Sequence, residues 1–596
     1  MMKSLRTIAL AALAGVFALG VAACGSSSSK SANAGLNVAA GVQTPASQSL
    51  TGGKRGGTLN VVNHEDFEHI DPGQSYFAID YQAVYATNRP LYSYKPNDFK
   101  EPVPDMAEAA PQISSDAKTI TIHIRHGVHF GPPVNREVTS ADVAYALNRG
   151  ANPNVANPYF EAYFGSLEGF KAASHGSPIP GIKTPDKYTI VLHFTEPKAA
   201  IAAAALVLPV SAPVPEEYAK KYDAKKPSEY GNFQVATGPY MWKANGEGKV
   251  LGTGYQPGKS ATFVRNPNWN ASTDFRPAYL DQINLSIGGD PTVIGRQVLE
   301  GSHIVQNDTP AQPIVKLAFE KFRKQLLVSP GAGNRYVALN NSHGPFTNVN
   351  LRKAVWAALD REAMNKARGG SLVTISATHY IYPEIPGFEQ AGGVIGPRFD
   401  YNEHPQGDMA VAEKYMKLAG YPSGKYTGGQ TLQVVGSTGN PASEDAEIAN
   451  QTLKNLGFKT KFNLVDQATM YSKYCGVVKE QIDVCPNVGW LADFGDGQAT
   501  LDVPFNGKNI ITNGTNSNWP QSNHAKINKA MEAAETVVGT SARAAAWGKI
   551  DQELVEEAVA PVWDWDKQPA IEAKDVAGVA DVWNEAGWDY NFTSLK

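Results

Sequence analysis

The sequence predicts an α/β protein built from more than one domain. Three observations carry that expectation. Short strands with strict two-residue alternation fill the first half, apolar stripes at helical spacing dominate the second, and helix-then-strand order recurs along the chain. At 596 residues the chain is too long for one compact core, which points to two or three domains. No internal repeat of fixed period is visible.

The N-terminus stands apart from that body. Lys3 and Arg6 precede Thr7 to Ala23, an uncharged run rich in Ala, Leu and Val. It is short and small-residued for a spanning helix, so a cleaved leader over residues 1–23 is the better reading. The run ends Val21-Ala22-Ala23-Cys24-Gly25, which resembles a bacterial lipobox, with Cys24 as the lipidated first residue of the mature chain. From Ser26 to Arg55 there is no aromatic and no acidic residue, so residues 24–55 read as a flexible tether. Lipid and tether together describe a protein anchored to a membrane with its bulk in water. No later stretch has the length to span a bilayer; the closest, Ala199 to Val210, is closed by prolines and reads as buried.

The body begins at Gly56 with "GGTLNVV", whose Leu59, Val61 and Val62 make a short apolar strand. In "TITIHIRHGVHF", Ile120, Ile122 and Ile124 share one face, and "YTIVLHF" repeats the pattern with Ile190, Leu192 and Phe194. Between them "VTSADVAYALNR" reads as a helix capped by Thr139 or Ser140, with Asp142 in its first turn. In "NLRKAVWAALDREAM", Leu351, Ala354, Val355, Ala358 and Leu359 form one helical face. "SEDAEIANQTLKNLGF" is a further helix stopped by Gly457, and "KTKFNLV" then reads as a strand.

Composition excludes several classes of function. The formal net charge is −4, more acidic once Lys3 and Arg6 are removed, and no basic cluster stands out, so nucleic acid is not a partner. Of three cysteines, Cys24 leaves Cys475 and Cys485, close in sequence and on the oxidising side of the membrane. We expect them to be bridged, a short loop contributing about 2–3 kcal/mol. "GTGYQPGKS" misses a phosphate loop because Thr253 stands where a glycine is required, and Pro257 removes a backbone donor. "GWLADFGDG", Gly489 to Gly497, contains Asp493-Phe494-Gly495, the magnesium tripeptide of protein kinases, but no H-R-D loop, glycine-rich loop or strand lysine accompanies it. Neither "VGSTGN" nor "YPSGK" fits a nucleophile elbow, and the histidines, His123 and His129 included, lack metal-ligand spacing. The expectation is no catalytic residue, no metal and no cofactor.

Several motifs in order resemble one family. "GGTLNVV", "HIDP" and "RPLYSY" open the body; Pro102 to Arg149 then resembles that family's signature, from a "PDLAES" element through a "RKGVKF" strand to a "T-x-x-D-V" helix. "ATGPY", "FVRNPNW", "YLDQI", "NNSHGPFTNVNLRKAVWAALDR", "KLAGY" and "GWLADF" follow in family order. The family is the bacterial extracellular solute-binding proteins of family 5, peptide-binding components of ABC importers, and the resemblance spans about 56 to 596.

The resemblance implies a two-lobed periplasmic-binding-protein-like fold of type II, in the large three-domain class, with hinge strands that let the lobes close over a ligand. The first lobe would comprise 56–90, 232–335 and 561–596, with a satellite domain at 91–231 inserted; the second would be 336–560. Hinges fall near "NRYVALNN" and "APVWDW". It further implies that the aspartate of a "W-x-A-D" element, here Asp493, takes the α-amino group of a peptide. Gly489 and Leu491 would offer backbone groups and Trp490 a pocket wall. Tyr76, Ala78, Tyr336 and Trp563 would complete the cleft by position. Partners implied are a peptide or related small solute and the permease and ATPase subunits of an importer, with the binding protein itself a monomer on a Gram-positive-type cell surface. A same-fold binder of an oligosaccharide, nickel complex or opine-like compound is the alternative ligand reading, and an exported hydrolase the alternative class.

Overall fold

The computed structural model describes residues 40–96, 98–173, 177–244, 252–439, 441–512, 516–537, 539–578 and 589–596. The expected leader, Cys24 and the first part of the tether lie outside the described residues. Among those described, no helix is long and apolar enough to cross a membrane.

One mixed sheet runs through the molecule. Its strands are β1 (Thr58–Asn63), β2 (Tyr240–Trp242), β3 (Ser260–Arg265), β4 (Gln282–Ile287), β5 (Ile304–Gln306), β6 (Leu326–Leu339), β7 (Thr374–Ser376), β8 (Thr431–Ser437), β9 (Lys459–Val465), β10 (Val484–Leu491) and β11 (Val562–Glu572). Their order is β9-β8-β10-β6-β11-β5-β1-β4-β3-β2, with β7 also on β11. Parallel pairs such as β1 with β4 and β8 with β9 sit beside antiparallel ones, as helical crossovers and hairpins alternate along the chain.

The two long strands join the halves of this sheet. The first part of β6, Leu326 to Pro330, pairs with Lys567 to Ile571 of β11; after an irregularity, Asn334 to Tyr336 pair with Val562 to Trp565. The far end of β6 also pairs with β10, Gly333 opposite Leu491 through Leu339 opposite Val484. Gly331 marks the change of register: a Cβ there would sit 1.4 Å from the Asp566 carbonyl oxygen, so only glycine lets the strands approach.

Residues 91–231 carry a separate four-stranded antiparallel sheet, Gln112–Ile113, Thr119–His123, Thr189–His193 and Ile182–Asp186 in that spatial order. Ile120, Ile122, Ile190 and Leu192 all face its core, as their alternation requires. Helix α2 (Ser140–Gly150) covers it, following α1 (Ala78–Thr87). Thr139 caps α2, and its backbone N–H donates to the Asp142 carboxylate at 2.8 Å. At the far end of α2, Arg149 forks onto Asp71 of the "HIDP" segment at 2.6 Å and onto Asp223 at 2.7 Å, all three buried. Two elements quoted for the resemblance thus meet in one ion triad.

The 351–359 stripe lies in one helix except for Leu359, which is its C-cap. That helix, α3 (Val349–Ala358), stops before Leu359, because the Asp360 side chain accepts from Ala363 N–H at 2.8 Å and starts α4 (Arg361–Arg368). The remaining helices used below are α5 (Ala442–Asn455), α6 (Gly497–Phe505) and α7 (Thr540–Glu556). One correction concerns the tether, placed at 24–55 from composition. Gln43 pairs its backbone with Leu326 and Val328 of β6 at 2.9 Å each, and Lys54 bridges to Leu595. Residues near 43 and 54 are therefore docked on the body, held by backbone pairing that low hydrophobicity does not prevent.

Buried apolar residues fall into two clusters. One lies among β1 to β5 and the first part of β6. The other runs without a break from residues 81–235 into the second lobe, through Tyr163, Trp490, Phe494 and Trp563. Residues 81–235 and 336–565 thus share one continuous apolar core.

Candidate functional site

Strand β10 ends at Leu491, and the "ADFGDG" segment turns from its end into α6. The turn separates the two aspartates. Asp496 caps α6, accepting from Gln498 N–H at 2.8 Å, and receives the Arg543 guanidinium at 2.7 Å (Nε) and 2.9 Å (Nη2). Both its oxygens are committed to structure. Asp493 is buried at the junction between the lobes, where the hydroxyls of Tyr163 and, at 3.4 Å, Tyr76 donate to its Oδ2. Both tyrosines come from segments distant in sequence, Tyr76 just before α1 and Tyr163 within residues 91–231. Burial raises the Asp493 carboxyl to about 7, and the two hydroxyls offset only part of that rise. The same environment raises both phenols well above their ordinary value, by burial first and by Asp493 next.

Neighbouring backbone groups fix this turn. Ala492 N–H donates to the Tyr382 hydroxyl and Gly495 N–H to that of Tyr94, each at 3.2 Å, Tyr94 again reaching across from the satellite segment. Before the turn, β10 pairs with β6 on one side but meets β8 only at Val484. Gly489 N–H points away from β6 to the Tyr471 hydroxyl at 3.3 Å. By the alternation of strand backbone, Leu491 turns its own N–H and carbonyl to the same side. This edge can accept an extended chain. The glycine at 489 is a packing requirement, since a Cβ would stand 2.8 Å from the Asn334 carbonyl and 2.9 Å from Arg335 Cδ.

Aromatic rings wall the region. Trp490 is held by its indole N–H on the Ala499 carbonyl at 2.7 Å, with Tyr76 and Trp519 rings at 6.2 and 6.0 Å. Tyr471 packs on Trp519 at 4.8 Å, Tyr76 on Tyr159 at 5.1 Å, and Tyr163 edge-on to Phe494 at 5.2 Å. A disulfide between Cys475 and Cys485 ties the helical turn bearing Tyr471 to the start of β10.

The structure therefore brings Asp493, Trp490, Gly489, Leu491 and Tyr76 into one neighbourhood. Ala78 opens α1 just beyond Tyr76. Tyr336 and Trp563 sit on the central strands but are wholly buried, Tyr336 among Tyr380, Phe505 and Trp519, and Trp563 beside the Arg368 guanidinium. Reading the sequence did not single out Tyr163, Tyr94, Tyr471 or Trp519. "NPYFEAYF" and "TNSNWP" carry no local signal, and only the closure of distant segments places these side chains here. Among the described residues, no group of three or more His, Cys, Asp or Glu could hold a metal ion.

Known proteins share this architecture and sequence. Residues 101–511 match the family described as bacterial extracellular solute-binding proteins, family 5 Middle. The chain is 25% identical to heme-binding protein A of Haemophilus influenzae over 450 residues, 74% of this chain and 75% of that one. It is 24% identical to the periplasmic oligopeptide-binding protein OppA of Escherichia coli K12 over 478 residues, 78% of this chain and 79% of that one. In fold it matches a solved structure, clavulanic acid biosynthesis oligopeptide binding protein 2, with a TM-score of 0.77 and 23% identity, covering 92% of this chain and 96% of the other. On the extent of the family match, which takes in more than half of the sequence, this chain belongs to the bacterial extracellular solute-binding proteins of family 5.

Proposed function

We propose that the protein is the non-enzymatic, extracytoplasmic receptor of an ABC importer, and that it captures short peptides by their α-amino group at Asp493 and delivers them to the permease. The observation that carries this reading is a buried carboxylate at the end of a strand whose edge pairs with a neighbouring strand only at Val484, enclosed by the hydroxyls of Tyr76 and Tyr163. A peptide has the two features such a site selects, an extended backbone for the edge of β10 and an ammonium for the carboxylate. Relatives named for oligopeptide binding support the ligand class. Segments 56–90, 232–335 and 561–596 would act as one lobe, 91–231 as its satellite and 336–560 as the lobe that carries Asp493. Cys24 would hold the mature chain at the membrane through its lipid.

The test compares peptides differing only at the amino end. Free-amine peptides should bind, and N-acetylation should weaken binding about 10- to 100-fold, the range of a charge-assisted hydrogen-bonded pair. Asp493→Asn should remove the difference. Equal affinity for free and acetylated peptides would overturn amine capture at this residue. Loss of the protein from the membrane fraction on Cys24→Ser checks the anchor.

A further inference from the structure

One end of the first lobe collects positive charge that the sequence scatters. Strands β1, β4 and β5 run parallel, and β11 is antiparallel to both β5 and β6. The segments that enter β1, β5 and β6 and the one that leaves β11 therefore meet at a single end of the sheet. Lys54 and Arg55 precede β1, Arg323 and Lys324 precede β6, Lys574 follows β11, and Lys596 lies beside it. All are exposed. The Lys596 ammonium donates to the Lys574 carbonyl at 3.0 Å, and Lys54 bridges to Leu595, which ties these positions into one surface.

Few carboxylates offset these cations. Asp281 is taken by Arg265 at 3.1 Å, and Asp575 accepts the His303 backbone N–H at 2.9 Å. Glu572 lies buried beneath the face, and burial raises its carboxyl to about 8, so at pH 7 it is mostly protonated. Glu300 and Glu320 are the exposed acids that remain nearby. At the opposite end of the same strands the sign reverses. Glu65 and Asp308 follow β1 and β5 there, and the segment leaving β1 carries Tyr76 to Asp493. The formal net charge of the whole chain is −4, so the basic end runs against the average.

The chain toward Cys24 leaves from this basic end. Gln43 pairs with Leu327 in parallel, so residues 40–42 approach from the end where β6 begins. The Arg323 guanidinium donates to the Ala40 carbonyl at 3.3 Å, and the Gln43 side chain donates to the Lys324 carbonyl. Ala40 is 16 residues beyond Cys24, which limits their separation to about 55 Å; a tether free as far as residue 55 would reach about twice that distance. We propose that this end of the first lobe rests on anionic lipid headgroups of the membrane that holds the anchor, turning the cleft outward to receive solute. This rests on the reading of Cys24 as the lipidated residue. Exposed lysines and arginines gain from the negative potential of such a surface, while the acids at the cleft end are repelled by it. Docking of Gln43 beside Arg323 and Lys324 brings the basic end to the headgroups first.

The experiment reads orientation on vesicles. The full protein, purified with its own lipid, carries a donor dye at one of two exposed positions. Gln297→Cys places it in the helix Pro291–Glu300, toward the basic end; Gln256→Cys places it in the turn before β3, at the cleft end. In phosphatidylcholine vesicles with about 30% phosphatidylglycerol, transfer to an acceptor-labelled lipid should be more efficient from position 297, and that preference should vanish in phosphatidylcholine alone and in about 0.5 M salt. Lys324→Glu, Lys574→Glu and Lys596→Glu together should weaken the attraction about fivefold or more per charge and equalise the two positions, while the thermal midpoint holds. Equal transfer from both positions on anionic vesicles, or greater transfer from 256, would overturn the proposal. A preference for 297 that persists without phosphatidylglycerol, or survives the charge reversals, would overturn it too, leaving tether length as the cause. Mass spectrometry of the N-terminal peptide separates the two readings. An acylated Cys24 with no preference keeps the anchor and sinks the orientation; an unmodified Cys24, with no protein held on the vesicles, sinks both.

Discussion

Ligand affinity should depend on pH with a sign set by Asp493. In the empty closed cleft its carboxyl titrates near 7, raised by burial. A seated ammonium should return it toward the ordinary carboxylate range, about 4. Below about pH 7 the empty site carries a proton that the ligand must expel. Affinity should therefore fall with a slope approaching tenfold per pH unit, or roughly 15-fold between pH 7 and 5.5. Above about pH 8 the peptide's own α-amino group loses its charge and affinity falls again, leaving a narrow optimum between the two. Calorimetry at pH 6 in buffers of different ionisation enthalpy should find close to one proton released per peptide bound. Asp493→Asn should bind weakly, release no proton and lose the acid limb. A flat affinity from pH 5.5 to 7.5 in the unaltered protein, or an acid limb that persists in Asp493→Asn, would refute the reasoning. The same shift bears on stability: a raised folded-state carboxyl binds more protons than the unfolded chain between about pH 4 and 7, so its contribution declines as pH rises through that window.

Asp496→Ala, three residues along the same turn, should cost about 1–3 kcal/mol of stability through a lost helix cap and an abandoned Arg543, measured by urea unfolding, while peptide affinity changes less than threefold. Asp71→Ala should cost about 3–5 kcal/mol by leaving Arg149 buried with only Asp223, seen as a lower denaturation midpoint. Replacing Cys475 and Cys485 together by serine should remove about 2–3 kcal/mol, and because the bridge tethers the Tyr471 turn to β10, peptide affinity should also drop measurably in titration.

Local rules made much of the fold legible. Alternation placed Ile120, Ile122, Ile190 and Leu192 on the correct face, and the strand at 459–465 has the bounds its pattern predicts. The helix at 351–359 was drawn too long because its apolar stripe continues past the point where the Asp360 cap interrupts it. The tether was drawn too long because composition reports on burial, and Gln43 docks through its backbone. In the candidate site, Asp493 was singled out from the "W-x-A-D" element and Tyr76 from its position after "HIDP", while Tyr163 was not, because it lies hundreds of residues from Asp493 and no local pattern marks it. Tyr336 and Trp563 were proposed for the cleft because they flank the hinge. The structure buries both side chains completely, Tyr336 among Tyr380, Phe505 and Trp519.

The burial of Asp493 has an energetic consequence for closure. Moving Asp493 under the tyrosines removes its carboxylate from water, and the cost appears as the rise of its pKa toward 7. At neutral pH an empty closed cleft must either hold a proton there or bear an ionised group offset mainly by hydroxyls. An ammonium supplied by a ligand removes this cost, whereas a solute without a cation leaves it in place however well it fills the volume. The same electrostatic term that makes burial of Asp493 unfavourable therefore favours a ligand that brings a cation to it.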